Sequence, residues 1–224
     1  MRIDIISAVP DLLLSPLNSS IIKRAQDKKK ISILIHNLRD YAHNKHKQID
    51  DKPFGGGPGM VLKPEPFFEC IEKLQQEIKF DHIIFTSPKG KIFDQKTANK
   101  LSLSKNLLIV AGHYKEIDDR VREKFATDEI SMGNFILTGG ELPALIIVDA
   151  VVRVIPGVLN DSESALNDSF QDGDMIQAPC FTRPADYKGM KVPEVLLSGN
   201  EKEIKKWKEE QSRKLTEEWK NNNP

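Results

Sequence analysis

The residues best placed to do chemistry lie between Ser131 and Pro156. Phe135-Ile136-Leu137 is a short apolar run, long enough for a buried strand. Thr138-Gly139-Gly140 is a tight turn that lets backbone approach something closely. Glu141 to Ile155 then reads as one helix, with Pro143 in its first turn, where a missing N–H costs nothing. Leu142, Leu145, Ile146, Asp149, Val152 and Arg153 recur near helical spacing, and Pro156 stops the run. A glycine turn feeding a helix N-terminus offers free N–H groups to a carboxylate, a carbonyl or a phosphate. The same pattern also describes an ordinary strand-turn-helix joint. Elsewhere, His43, His46, Asp50 and Asp51 lack helical or hairpin spacing and read as solvated loop residues rather than metal ligands.

The elements that must position this stretch alternate between strand and helix. Strands are expected at Ile3–Val9, Ile31–Ile35, His82–Thr86 and Asn106–Ala111, with last strand material at Ile130 and Phe135–Leu137. Helices are expected at Asn18–Lys28, Pro64–Lys79, Asp94–Leu101 and Ile117–Phe125, and near the C-terminus at Glu201–Trp219. Alternation of this kind argues for an α/β fold with a mostly parallel sheet covered on both faces. Ser87-Pro88, Gly112-His113-Tyr114 and Ser131–Gly140 all follow strands, so these loops could line one pocket at the strands' carboxyl ends. No G-x-G-x-x-G is present, which excludes a dinucleotide fingerprint. Gly55, Gly56, Gly57 and Gly59, in FGGGPGM, are followed by no Gly-Lys-Ser/Thr, which excludes a Walker loop. Their bare backbone reads either as a flexible loop or as a surface lying against a ligand or partner chain.

The 224 residues suffice for one large domain, or one domain and a small one. Lys+Arg and Asp+Glu are both 33, so any RNA contact must come from a local patch rather than from net charge. Cys70 and Cys180 are isolated and suit neither a disulfide framework nor a zinc site, which fits a reducing cytoplasm. The N-terminus carries Asp4 inside its apolar run and does not read as a signal peptide; Asp149 and Arg153 break the longest apolar region, so no span is expected. From Gly157 the chain turns polar, and 160–175 reads as a linker.

Several segments together carry a resemblance: FGGGPGM at 54–60, SMGNFILTGGELPA at 131–144, IPGVL at 155–159, DSF at 168–170, FTRP at 181–184 and VPEVLLSGN at 192–200. They resemble the bacterial tRNA (guanine-N1)-methyltransferase family, in the family's order and along nearly the whole chain. The resemblance implies a SPOUT-type α/β fold with a deep trefoil knot over residues 1–159. It also implies a linker at 160–175 and a small helical tRNA-binding domain at 176–224, shortened relative to the family. It implies a cytoplasmic homodimer with active sites between subunits, acting on tRNA, with no membrane association. The implied donor is S-adenosyl-L-methionine. Its implied contacts are Phe85, Thr86, Ser87 and Pro88; Gly112 and Tyr114; and Ser131, Met132, Gly133, Asn134, Phe135, Ile136, Leu137, Gly139, Gly140 and Pro143. Gly55, Gly56, Gly57, Gly59 and Lys188 are implied RNA contacts. The family is described as magnesium-assisted, and no metal ligand set is visible in the sequence. The segment after Gly112 departs from the family's Tyr-Glu-Gly, reading Tyr114-Lys115-Glu116.

The implied acceptor is the guanosine 3′ of the anticodon, position 37. Guanine N1 carries a proton and becomes a good nucleophile only as that proton leaves. A carboxylate within reach of N1–H is the natural general base. Asp168, on sequence alone a linker or helix-cap aspartate, matches the family's catalytic aspartate. Charge then grows on O6, where a guanidinium stabilises it. Arg153, on sequence alone a helix C-terminal cation, matches the family's arginine.

Overall fold

The computed structural model describes residues 1–159, 168–171 and 173–223. The chain divides into two compact units, Met1–Asn160 and Asp161–Pro224.

In the first unit, β1 (Arg2–Ser7), β2 (Ser32–Asn37), β5 (His82–Ile92), β6 (Asn106–Ala111) and β8 (Asp128–Ser131) form a five-stranded sheet in the order β2-β1-β6-β5-β8. Every pairing in it is parallel. Two-residue strands β3 (Asp50–Asp51), β4 (Val61–Leu62) and β7 (Glu116–Ile117) make a separate small sheet. The strands of the main sheet send alternate residues to opposite faces, as the two-residue period requires. Ile3, Ile5, Leu107 and Ile109 join a core under α1 (Asp11–Leu17), α2 (Ser20–Asp27), α4 (Gln95–Ser102) and α6 (Glu141–Arg153). Ile6, Leu108 and Val110 join a second core under α3 (Pro64–Glu77) and α5 (Asp119–Phe125), where Phe67 is fully buried.

Most element boundaries agree with the patterning, and three differ for identifiable reasons. The expected helix Asn18–Lys28 is α2, starting only at Ser20, which takes φ +49°; the separate helix α1 before it was not expected. Strand β5 runs on to Ile92 rather than stopping at Thr86. Its pairing with β8 breaks between Thr86 and Lys91, across Pro88, which has no N–H to donate to a ladder. Phe135–Leu137 is no strand: it is a loop, with Ile136 80% exposed. Apolar side chains alone do not make a strand; a ladder partner is needed, and these three residues pair with no strand of the sheet. Asp94 caps α4 as its residue type suggests, accepting from Thr97 N–H at 2.7 Å.

One buried charge stands out. Asp4, on β1, is fully buried, and Arg2 donates to it at 2.7 and 2.9 Å while His36 Nε2 lies 2.7 Å away. Burial pushes the Asp4 carboxyl up, but hydrogen bonds to His36 and Arg2 outweigh it and hold the group below its ordinary value. A carboxylate depressed in the folded state stabilises fully above its unfolded value, near ~4. That stabilisation is lost as pH falls through the folded value. Asp4→Asn is expected to cost about 3 kcal/mol at pH 7, because it strands buried donors. Melting curves check this: the gap between wild type and variant should narrow as the buffer is taken from pH 7 towards pH 3.

In the second unit, β9 (Asp186–Tyr187) and β10 (Met190–Lys191) form a hairpin, followed by a single turn, α7 (Glu194–Leu197), and the long helix α8 (Glu201–Asn222). Residues 160–167 and 172 of the expected linker lie outside the described residues. The rest of that stretch packs within the unit. The Phe170 and Trp219 rings are 5.3 Å apart, Ile176 N–H donates to Thr216 Oγ1 at 2.9 Å, and Ser212 donates to the Ile176 carbonyl.

Candidate active site

At the carboxyl ends of β5, β6 and β8 the first unit encloses a cavity of about 210 Å³. Three loops converge on it. From the middle of β5, at the break in its pairing with β8, come Phe85, Thr86, Ser87 and Pro88; from the end of β6, Gly112 and Tyr114. From the segment after β8 come Ser131, Met132, Phe135, Ile136, Leu137, Gly139 and Gly140, with Pro143 of α6 behind them. Gly133 and Asn134 sit in the same loop but do not line the cavity. Ser131 Oγ turns the chain there, accepting from Gly133 N–H at 3.2 Å. The exposure of Phe135, Ile136 and Leu137 follows from their place on the cavity wall. An apolar run facing a cavity is indistinguishable by composition from a buried strand.

The glycine turn is required by close approach, and what approaches is the protein itself. A Cβ on Gly140 would run into Thr86 Oγ1 and lie 2.8 Å from Gly112 N and 2.9 Å from Ala111 Cα. Gly140 N–H donates to the Gly112 carbonyl at 2.6 Å, and His113 and Gly139 form an isolated bridge. A Cβ on Gly139 would meet Glu141 Oε2 and, at 2.5 Å, His113 Nδ1. The carboxylate of Glu141 is itself in the first turn of α6 and 1% exposed. Ser7 Oγ donates to its Oε1 at 2.7 Å. A negative side chain there complements the helix dipole, so part of what the helix N-terminus offers an anion is met internally.

His113 and Thr138 line the cavity as their loops suggested, but the patterning missed the rest of the polar wall: Lys89, Lys115, Glu116, Asp119, Arg122 and Glu129 also line it, with Ile117 and Ile130. Lys89 Nζ lies 2.5 Å from Glu116 Oε1, and its ammonium is held above its ordinary value mainly by that hydrogen bond. Arg122 pairs with Asp119 at 2.7 Å and approaches Glu129 at 3.9 Å. Glu129 Oε1 is buried with no hydrogen-bond partner among the described residues. The signal available was the mixture of acids and bases over 115–122, which does not by itself tell a pocket wall from a surface. Apolar walls, bare strand-end backbone and a charged rim suit a ligand with a flat ring and a charged tail.

Among the remaining site residues, Gly55, Gly56, Gly57 and Gly59 all have positive φ, between +78° and +101°, which only glycine adopts freely. Arg153 is the last residue of α6 in the first unit. Asp168 and Lys188 belong to the second unit. Lys188 lies at the β9–β10 turn with Nζ 5.4 Å from the centre of the Tyr187 ring. His43 pairs with Glu69 at 2.7 Å on the surface. Among the described residues no group of three or more His, Cys, Asp or Glu could hold a metal ion. No helix of the described residues is long and apolar enough to cross a membrane.

Comparison with known proteins meets this geometry. Residues 1–222 match the family described as tRNA (Guanine-1)-methyltransferase TrmD. A Bacteroides fragilis protein named tRNA (guanine-N(1)-)-methyltransferase is 56% identical over 216 residues, covering 96% of each chain. Relatives of the same name from Chlorobaculum tepidum and Flavobacterium johnsoniae are 53% and 54% identical. They cover 96% and 94% of this chain and 94% and 92% of their own. With its match running through both units, the chain belongs to the tRNA (guanine-N1)-methyltransferase family.

Proposed function

We propose that this enzyme methylates N1 of guanosine 37 in tRNA, with S-adenosyl-L-methionine as donor in the three-loop cavity. The observation that carries the reading is the convergence of the Thr86, Gly112 and Gly140 loops on one cavity at the strand ends. The residues present fit the donor: apolar walls from Ile130, Leu137 and Pro143 suit adenine, and backbone groups at Phe85, Gly112 and Leu137 suit its polar edge. When bound, the donor supplies an electrophilic methyl group on a sulfonium. The trefoil knot over residues 1–159 belongs to this reading as what the family implies. No step is assigned to magnesium, for which the described residues offer no ligand cluster.

In this reading Asp168 accepts the N1 proton and Arg153 meets the charge that grows on O6. The rest of the rate comes from holding N1 in line with the methyl group. The glycine loop at 55–59 and Lys188 contact the RNA. Leu12, Leu14, Leu142 and Ile146 are 47–53% exposed on α1 and α6, an apolar face that a second copy would cover in a homodimer. Two free cysteines and a tRNA substrate support a cytoplasmic setting for this reading.

The test is transfer of a labelled methyl group to tRNA transcripts carrying G or A at position 37. Label is expected in the G37 transcript, reduced at least about a hundredfold with A37, where the N1–H chemistry is absent. Equal labelling of both would assign the enzyme to another base.

A further inference from the structure

The geometry points to Lys115 as an anchor for a backbone phosphate of the RNA, at the rim shared by the cavity and the glycine loop. This rests on the methyl-transfer reading above. Lys115 lines the cavity, yet its side chain lies along the neighbouring loop. A methyl group built on Gly59 would lie 3.5 and 3.7 Å from Lys115 Cβ and Cδ, and one built on Gly57 would lie 3.9 Å from its Nζ. Its N–H donates to the Met60 carbonyl at 3.0 Å, and β4 and β7 pair beside it, so the two loops are tied together.

The other cations of the wall are occupied, Lys89 with Glu116 and Arg122 with Asp119. Lys115 makes no ion pair among the described residues. Above it, Gly55, Gly56 and Gly57 hold three successive positive φ angles, and nothing lies within 4 Å of a Cβ on Gly55 or Gly56. Gly56 N–H donates within the loop to the Pro53 carbonyl at 3.2 Å, so what the loop offers a phosphate-sugar chain is open space beside bare backbone. Phe54 beside them is fully exposed, a platform on which a base can stack. An exposed ammonium, an open glycine backbone and a bare aromatic ring together fit a nucleotide of a single-stranded loop.

The experiment measures tRNA binding to the full-length enzyme at several salt concentrations, and S-adenosylhomocysteine binding by calorimetry, for wild type, Lys115→Ala and Lys115→Arg. Lys115→Ala is expected to weaken tRNA binding about three- to tenfold and to reduce the slope of log affinity against log salt by about 0.7–0.9. Lys115→Arg should retain both, and S-adenosylhomocysteine affinity should stay within about twofold in all three. Unchanged tRNA affinity and salt slope would overturn the assignment. So would a loss of S-adenosylhomocysteine affinity instead, which would make Lys115 the partner of the donor's carboxylate. Failure of the methyl-transfer reading shows separately, as wild-type enzyme that binds tRNA and transfers no label.

Discussion

Asp168→Asn should lower methyl transfer to tRNA by about a hundredfold or more while leaving the affinity for S-adenosylhomocysteine and the melting temperature near wild type. The asparagine keeps the shape of the side chain and loses its ability to take a proton. Guanine N1 would then have to shed its proton to water while the donor waits. A hundredfold corresponds to about 2.7 kcal/mol of transition-state stabilisation. Asp168 adjoins Ser169, whose Oγ accepts from Gln177 N–H at 2.9 Å within the second unit. Calorimetry and a melting curve therefore distinguish loss of a base from loss of local packing. Single-turnover rates carry the decision, since they exclude product release. A variant with wild-type single-turnover rate would remove Asp168 from the reaction.

Gly140→Ala should be the most damaging single methyl group in the first unit. The φ of Gly140 is −84°, so alanine meets no backbone strain there. The obstacle is purely steric. The new Cβ would overlap Thr86 Oγ1 and press on backbone atoms of Ala111 and Gly112, which belong to a central strand and its end. Overpacking of this kind costs about 1–3 kcal/mol or somewhat more. For a chain of this size that lowers the melting temperature by roughly 3–10 °C. The loops must part to admit the methyl group, so affinity for S-adenosylhomocysteine should fall at least about tenfold. Gly55→Ala is the contrasting control. Its φ is +81°, but nothing lies within 4 Å of the added Cβ. It should cost about 1 kcal/mol or so of local strain and leave the cavity intact. Equal melting temperatures for Gly140→Ala and wild type would mean that the close approach is not needed.

The sequence by itself determined the repeating strand-helix order, because alternation in β1 and β6 and the helical stripes of α3 and α8 are local patterns. It also marked Gly139 and Gly140 as a place of close approach, and the loops after β5 and β6 as neighbours of one pocket. It misjudged Phe135–Leu137, since apolar residues that face a ligand cavity have the same composition as those in a core. It gave Lys89, Asp119 and Arg122 no place in the pocket, and only their convergence with Glu116 from β5, β7 and α5 makes them a wall.

What Gly140 touches was decided by tertiary structure alone. Ala111 and Gly112 lie nearly thirty positions earlier in the chain, and no local rule relates a turn to the strand end it will be pressed against. The same holds for Asp4, whose place between Arg2 and His36 depends on parallel pairing of β1 with β2. Propensity and periodicity act over a few residues, so they can specify elements. Contacts between distant elements exist only once the sheet has set their order, and both the cavity and its charged rim are made of such contacts.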